Sequence, residues 1–97
     1  DEALVEYLLT IVERTRKHEA LSLGVSPRGA RGLFRAAQAL AMVEGRDYVI
    51  PDDIKRLTVP VCAHRIAVNS RATLSQRNSE TGERILADIL TQIDVPL

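Results

Sequence analysis

The residues best suited to chemistry lie in one stretch, Gly24-Val25-Ser26-Pro27-Arg28-Gly29-Ala30, and the chemistry they suit is anion binding. Ser26 is a strong N-cap type, because its hydroxyl can accept from the free amides of a first helical turn. Pro27 then falls at the first helical position, where a missing N–H costs nothing. Arg28 follows at once, in a turn where the helix dipole prefers anions to cations. Either Arg28 stretches into water, or it faces an anion that it shares with the helix end. The residues alone leave both readings open. Gly24 is read here as the residue that permits the turn ending the preceding segment.

The other reactive side chains make weaker cases. Asp52 and Asp53 could serve acid–base chemistry or Mg²⁺, but two carboxylates behind Pro51 also suit the start of a helix. Cys62 lies in an apolar run, which reads as core. His64 is near it only in sequence, and that does not bring the side chains together. His18 has no second His, Cys or carboxylate at metal-ligand spacing, so no metal site is expected. No G-x-x-x-x-G-K-[ST] loop and no nucleophile–base–orienter set can be assembled from this chain.

Helices must position these residues. Leu4, Leu8, Ile11, Val12 and Thr15 recur at helical spacing over residues 2–17, with Val5 and Leu9 widening the stripe. Glu2 and Glu6 come early and Arg14, Arg16 and Lys17 late, as the dipole favours. Leu21 and Leu23 alternate with other residues, which allows a short strand. A second helix spans 27–44 on Ala30, Leu33, Phe34, Ala37, Leu40, Ala41 and Val43. Gly29, Gly32, Ala36 and Ala39 give it a second, small-residue face. Two glycines inside a helix each cost about 1 kcal/mol relative to alanine, so something is expected to approach that face closely. Gly45 suits the left-handed residue after the helix end.

A third helix opens at Pro51-Asp52-Asp53-Ile54, with Ile50 a poor N-cap, and is expected to run to about Leu57 before Pro60 interrupts it. Ile66, Ala67 and Val68 allow another short strand. Residues 69–79 read as a polar loop. A last helix is expected to be capped by Ser79 or Thr81 and to reach about Gln92 on Ile85, Leu86, Ile89 and Leu90. The fold expected is all-α, a four- to five-helix bundle with at most one short β pair.

Composition agrees. The 97 residues suit one domain; 45% are apolar and only 3% aromatic, which favours a helical bundle over a sandwich. Thirteen basic and thirteen acidic residues cancel, so no broad field is present to hold nucleic acid or an anionic membrane. One cysteine excludes an internal disulfide and fits a reducing compartment. No apolar run is long enough to span a membrane as a helix. A start at Asp1 leads us to expect a fragment, residues 1–97, of a longer protein.

The run Leu23-Gly24-Val25-Ser26-Pro27-Arg28-Gly29-Ala30 resembles the sensor-2 motif of MoxR-type AAA+ ATPases. Gly45-Arg46-Asp47-Tyr48-Val49-Ile50-Pro51-Asp52-Asp53-Ile54-Lys55 is similar to the next signature of that family. Pro60-Val61 with His64-Arg65, the Thr15-Arg16 of the first helix, and Val95-Pro96 also fit, so the resemblance covers nearly the whole chain. Two departures stand out: Ile50 replaces the usual Thr or Ser, and residues 71–80 differ in length and composition.

The resemblance implies the C-terminal helical lid of such an ATPase. It implies ATP and Mg²⁺ bound by a full-length protein, with no cofactor expected for this piece alone, which lacks Walker A and B and should be inactive. Arg28 would be the sensor-2 residue, reaching the γ-phosphate, with Ser26, Pro27 and Gly29 beside it in the nucleotide-binding segment. Its expected partners are the protein's own N-terminal AAA+ core and the neighbouring subunits of a hexameric ring. Clients with von Willebrand factor A domains are a further expectation of the resemblance. It implies a cytoplasmic, chaperone-like remodelling role, without nucleic acid or a membrane span. Arg31 and Arg35, charged and off the apolar stripe, are candidates for the subunit contact. A second reading from the residues is a freestanding interaction or dimerisation module resembling a histone-fold half, since the Pro51-Asp52-Asp53-Ile54 start also occurs there.

Overall fold

The apolar spacing of the first segment produces α1, Glu2–Lys17, whose buried face is Leu4, Tyr7, Leu8, Ile11, Val12 and Thr15. The structure, a computed structural model, describes residues 2–68 and 78–96, with backbone only for 78–80. The remaining elements in chain order are β1 Leu21–Leu23, α2 Pro27–Val43, α3 Pro51–Cys62, β2 Ala67–Val68 and α4 Asn78–Thr91. Among the described residues four helices surround one core beside one β pair, so the expected all-α bundle forms.

Ile11, Leu33, Ile54 and Leu86, one from each helix, are fully buried and form the centre of that core with Val25, Ala37 and Cys62. A smaller cluster of Leu21, Ile85 and Ile89 joins β1 to α4. The strands pair antiparallel, Leu21 with Val68 and Leu23 with Ala67, with an irregular register between them. The pair ties the residues just before α2 to those just after α3. α2 therefore sits between fixed neighbours at both of its flanks.

Three expectations need correction. α3 does not stop near Leu57 but continues through Pro60 to Cys62. Pro60 is exposed in the last turn, where it removes only one helical bond. The buried series Ile54, Thr58 and Cys62 at four-residue spacing carries the helix past it, and the Ala63 amide still donates to the Val59 carbonyl at 3.0 Å. α4 starts at Asn78, so Ser79 and Thr81 lie inside it rather than capping it. Thr81 is buried on the same face as Ile85 and Ile89. Val5 and Leu9 do not widen the core stripe: they are 45% and 55% exposed, along a cleft between α1 and α2. The expected loop at 69–77 lies outside the described residues.

Gly24 also serves differently from the turn role read above. A Cβ there would lie 2.7 Å from the backbone of Thr15 and Arg16, so the segment before α2 runs hard against the end of α1. Gly45 does hold the left-handed conformation, at φ 81°.

Candidate functional site

α2 begins as its residues dictate. Ser26 is extended, its hydroxyl accepts from the Gly29 amide at 3.0 Å, and Pro27 follows at the start of the helix. The approach to this cap is fixed from α1. The Thr15 hydroxyl accepts from the Val25 amide at 3.0 Å and donates to the Val12 carbonyl at 2.6 Å, within the interior. Arg28 is thus placed on a rigid helix start, and it is exposed.

Arg28 lines a cleft of about 330 Å³ with Arg31, Gly32, Arg35 and Arg65. Residues 28, 31 and 35 fall on one side of α2 by helical spacing. Arg65 comes from the turn after α3. Its Cδ lies 3.5 Å from where a Gly29 Cβ would be, and its guanidinium lies 3.7–4.0 Å from the same position at Gly32. Val25 Cγ1 comes nearer still to the Gly29 position, at 3.0 Å, so Val25 and Arg65 together cover this end of the small-residue face. Among the described residues no ion pair or side-chain hydrogen bond engages any of these four guanidiniums. The ion pairs lie elsewhere, at Lys17–Glu13, Arg46–Glu44, Arg46–Asp53 and Arg56–Glu44. Four planar cations with open donors beside a helix N-terminus can hold an anion with several oxygens.

Of the four residues read from the sequence as the nucleotide segment, only Arg28 faces the cleft. The Ser26 hydroxyl accepts the capping bond from the Gly29 amide. Pro27 lines the neighbouring apolar cleft with Val5, Leu9 and Phe34. Gly29 is buried beneath Val25 and Arg65. All three help to set the helix start on which Arg28 stands. Arg65, which the sequence reading did not single out for the site, lines the cleft with Arg28; the only hint of it in the sequence is the small-residue face that it partly covers. Arg31 and Arg35, assigned above to a subunit contact, line the same cleft as Arg28.

The paired aspartates divide. Asp53 is fully buried and forms a double hydrogen bond with Arg46, both contacts at 2.7 Å, while accepting from the Ile50 amide at 2.9 Å. Ile50 offers no side-chain cap, so this carboxylate-to-amide bond is the half of a capping box that the sequence allows. The Arg46 hydrogen bond holds the Asp53 carboxyl below its ordinary pKa, against the opposing effect of burial. Arg46 also reaches Glu44, which in turn meets Arg56 at 3.0 Å. Asp52 is exposed. The pair is therefore one structural anchor and one surface group, and among the described residues no three His, Cys, Asp or Glu side chains gather as metal ligands.

Cys62 is fully buried, and burial pushes its thiol up to about 11, while His64 is exposed. The two do not form a nucleophile and base. The His18 Nδ1 accepts from the Ala20 amide at 3.1 Å, a local turn bond.

Comparison with known proteins bears on the family and the fold. The model of the AAA lid domain family matches residues 13–89. Over all 97 residues the chain is 40% identical to the uncharacterised protein YeaC of Bacillus subtilis, of which it spans 29%. It is 38% identical over 87 residues to the chaperone MoxR1 of Mycobacterium tuberculosis, covering 80% of this chain and 23% of that one. The crystal structure of a provisionally assigned ATPase from Cytophaga hutchinsonii superposes with a TM-score of 0.86 at 29% identity, over 100% of this chain and 31% of the other. The chain thus spans less than a third of the length of each of these relatives. With the helical architecture and the matched residues together, the chain belongs to the AAA lid domain family, as a lid of the MoxR type of AAA+ ATPase.

Proposed function

We propose that this chain closes over ATP held by an α/β core of the same protein, with Arg28 acting as the sensor of the γ-phosphate. One observation carries the reading: Arg28 stands on a capped, latched helix start and faces a cleft lined by cations whose heads have no protein partner among the described residues. A bidentate guanidinium there suits a terminal phosphate, whose oxygens are present with ATP and altered on hydrolysis. ATP with Mg²⁺ would supply the transferred phosphoryl group and its charge neutralisation. The chain's part is to bind that phosphate and to set its own angle to the core according to the nucleotide present, a rigid-body switch.

The finer assignments rest on kinship. A chaperone-like remodelling role follows the printed name of the Mycobacterium relative. A ring of subunits, a cytoplasmic setting and clients with von Willebrand factor A domains follow the family resemblance. The alternative of a histone-fold half is less well supported. Such a half shares its core with a partner, whereas Ile11, Leu33, Ile54 and Leu86 are all fully buried within this chain alone.

Steady-state ATP hydrolysis by the full-length protein tests the proposal. Arg28→Ala should lose most of the turnover, while Lys55→Ala, at an exposed position on α3, should not. Arg35→Ala is unsuitable as the surface control, because Arg35 lines the Arg28 cleft. Equal, near-original turnover in both variants would remove Arg28 from the mechanism.

A further inference from the structure

We infer that Arg65 is a second ligand of the terminal phosphate, so that the anion is gripped from two elements, α2 and the turn after α3. The inference rests on the reading of Arg28 as the phosphate sensor and extends it to a residue that reading does not include.

Three observations converge on Arg65. First, its side chain, though exposed, lies along α2. The stem crosses Gly29 and the head lies over Gly32, at 3.5 Å and 3.7–4.0 Å from where their Cβ atoms would be. The absence of side chains at Gly29, in the first turn of α2, and at Gly32 leaves room for the Arg65 side chain to lie along the helix. Second, the backbone that carries it is fixed. The Arg65 amide donates to the Cys62 carbonyl at 2.9 Å, Cys62 is fully buried, and β2 pairs with β1 two residues further on. Third, its head shares one cleft with Arg28, Arg31 and Arg35, and among the described residues no acidic side chain lines that cleft. The whole chain has no net charge, and its described ion pairs use other cations. Among the described residues no carboxylate pairs with this exposed cluster, which leaves its guanidiniums open to an anion from outside the lid.

A nucleoside triphosphate fits the cleft better than a nucleic acid does. About 330 Å³ accommodates a phosphate group and its neighbour, not a tracked strand. Among the described residues no aromatic side chain lines it as a stacking platform. Arg28 and Arg65 are the two members contributed by different elements, so a phosphate between them also pins α2 to the α3–β2 turn.

The test is equilibrium binding of ATPγS and of ADP to the full-length protein, measured by calorimetry. Arg65→Met is the main variant, because it keeps the aliphatic stem over Gly29 and Gly32 and removes the charge; Arg65→Lys and Arg28→Ala accompany it. Arg65→Met should weaken ATPγS about tenfold and leave ADP within about twofold, with an unchanged melting temperature. Arg65→Lys should recover part of the loss, since it restores charge without the fork. If Arg28→Ala weakens ATPγS and Arg65→Met does not, the second ligand is wrong and Arg28 stands alone. If neither acts, the sensor reading fails as well. Equal weakening of ATPγS and ADP by Arg65→Met overturns the shared terminal phosphate. So does tight, Arg65-dependent binding of an oligothymidylate with ATPγS unaffected, which would make the cleft a nucleic-acid contact.

Discussion

Thr15 and Val25 are joined across ten residues of chain: the α1 hydroxyl accepts the Val25 amide at 3.0 Å, inside the core. The bond fixes where the chain enters the α2 cap, and so where Arg28 stands. Thr15→Val keeps the shape but leaves the Val25 amide, whose residue is fully buried, without a partner. The expected cost is about 1–3 kcal/mol in urea unfolding. Thr15→Ser, which retains the hydroxyl, should lose less than half as much. A Thr15→Val protein as stable as the original would mean that another group satisfies Val25.

Asp53 should give the fold part of its acid sensitivity. Its carboxyl is held below the ordinary range chiefly by Arg46, so the unfolded chain binds that proton more readily than the folded one. The stabilisation is therefore complete above the ordinary carboxylate value of about 4 and is lost as pH falls through the lowered folded value. Asp53→Asn should cost about 2 kcal/mol near neutral pH, by breaking a buried double hydrogen bond. The gap between variant and original should narrow as pH falls from about 5 to 2. A gap that stays constant over that range, in urea titrations at several pH values, would separate Asp53 from the acid limb.

Cys62 should be inert in the folded protein. It is fully buried and its thiol is pushed up to about 11, so little thiolate exists near pH 8 and none of it is accessible. An aromatic disulfide reagent should label it only at the rate of unfolding and should label it fully in denaturant. Rapid labelling under native conditions would contradict both its burial and its assignment to the core.

Much of this was legible in the sequence because it is local. Ser26, Pro27 and Gly45 carry conformational preferences that act within one turn, and each does what its type requires. The central stripes of α1 and α2 are likewise periodic and readable, although Val5 and Leu9 of α1 and Val43 of α2, read with them, are exposed. What could not be read was pairing at a distance. Thr15 falls on the apolar stripe by spacing, but its bond to Val25 depends on how the chain returns. Arg46 and Asp53 look like a turn cation and a helix-start anion until α3 brings them together. Arg65 gives no periodic signal, and its place depends on α3 continuing past Pro60, which local rules argue against.

Gly24 and Gly32 should respond in opposite directions to the same substitution. At Gly24 a new Cβ would stand 2.7 Å from backbone atoms of Thr15 and Arg16, which cannot rotate aside as a side chain can. Gly24→Ala must therefore push the pre-α2 segment off α1 and strain the Thr15 bond, and should cost about 1–3 kcal/mol. At Gly32 the new Cβ meets the Arg65 guanidinium at 3.7 Å, an ordinary contact with the end of a flexible side chain. Helix propensity then dominates, and Gly32→Ala should stabilise the fold by up to about 1 kcal/mol. The two unfolding curves, recorded side by side, check the packing of α2 on both flanks. Destabilisation by Gly32→Ala comparable to that by Gly24→Ala would show that Arg65 is held too rigidly over the helix to yield.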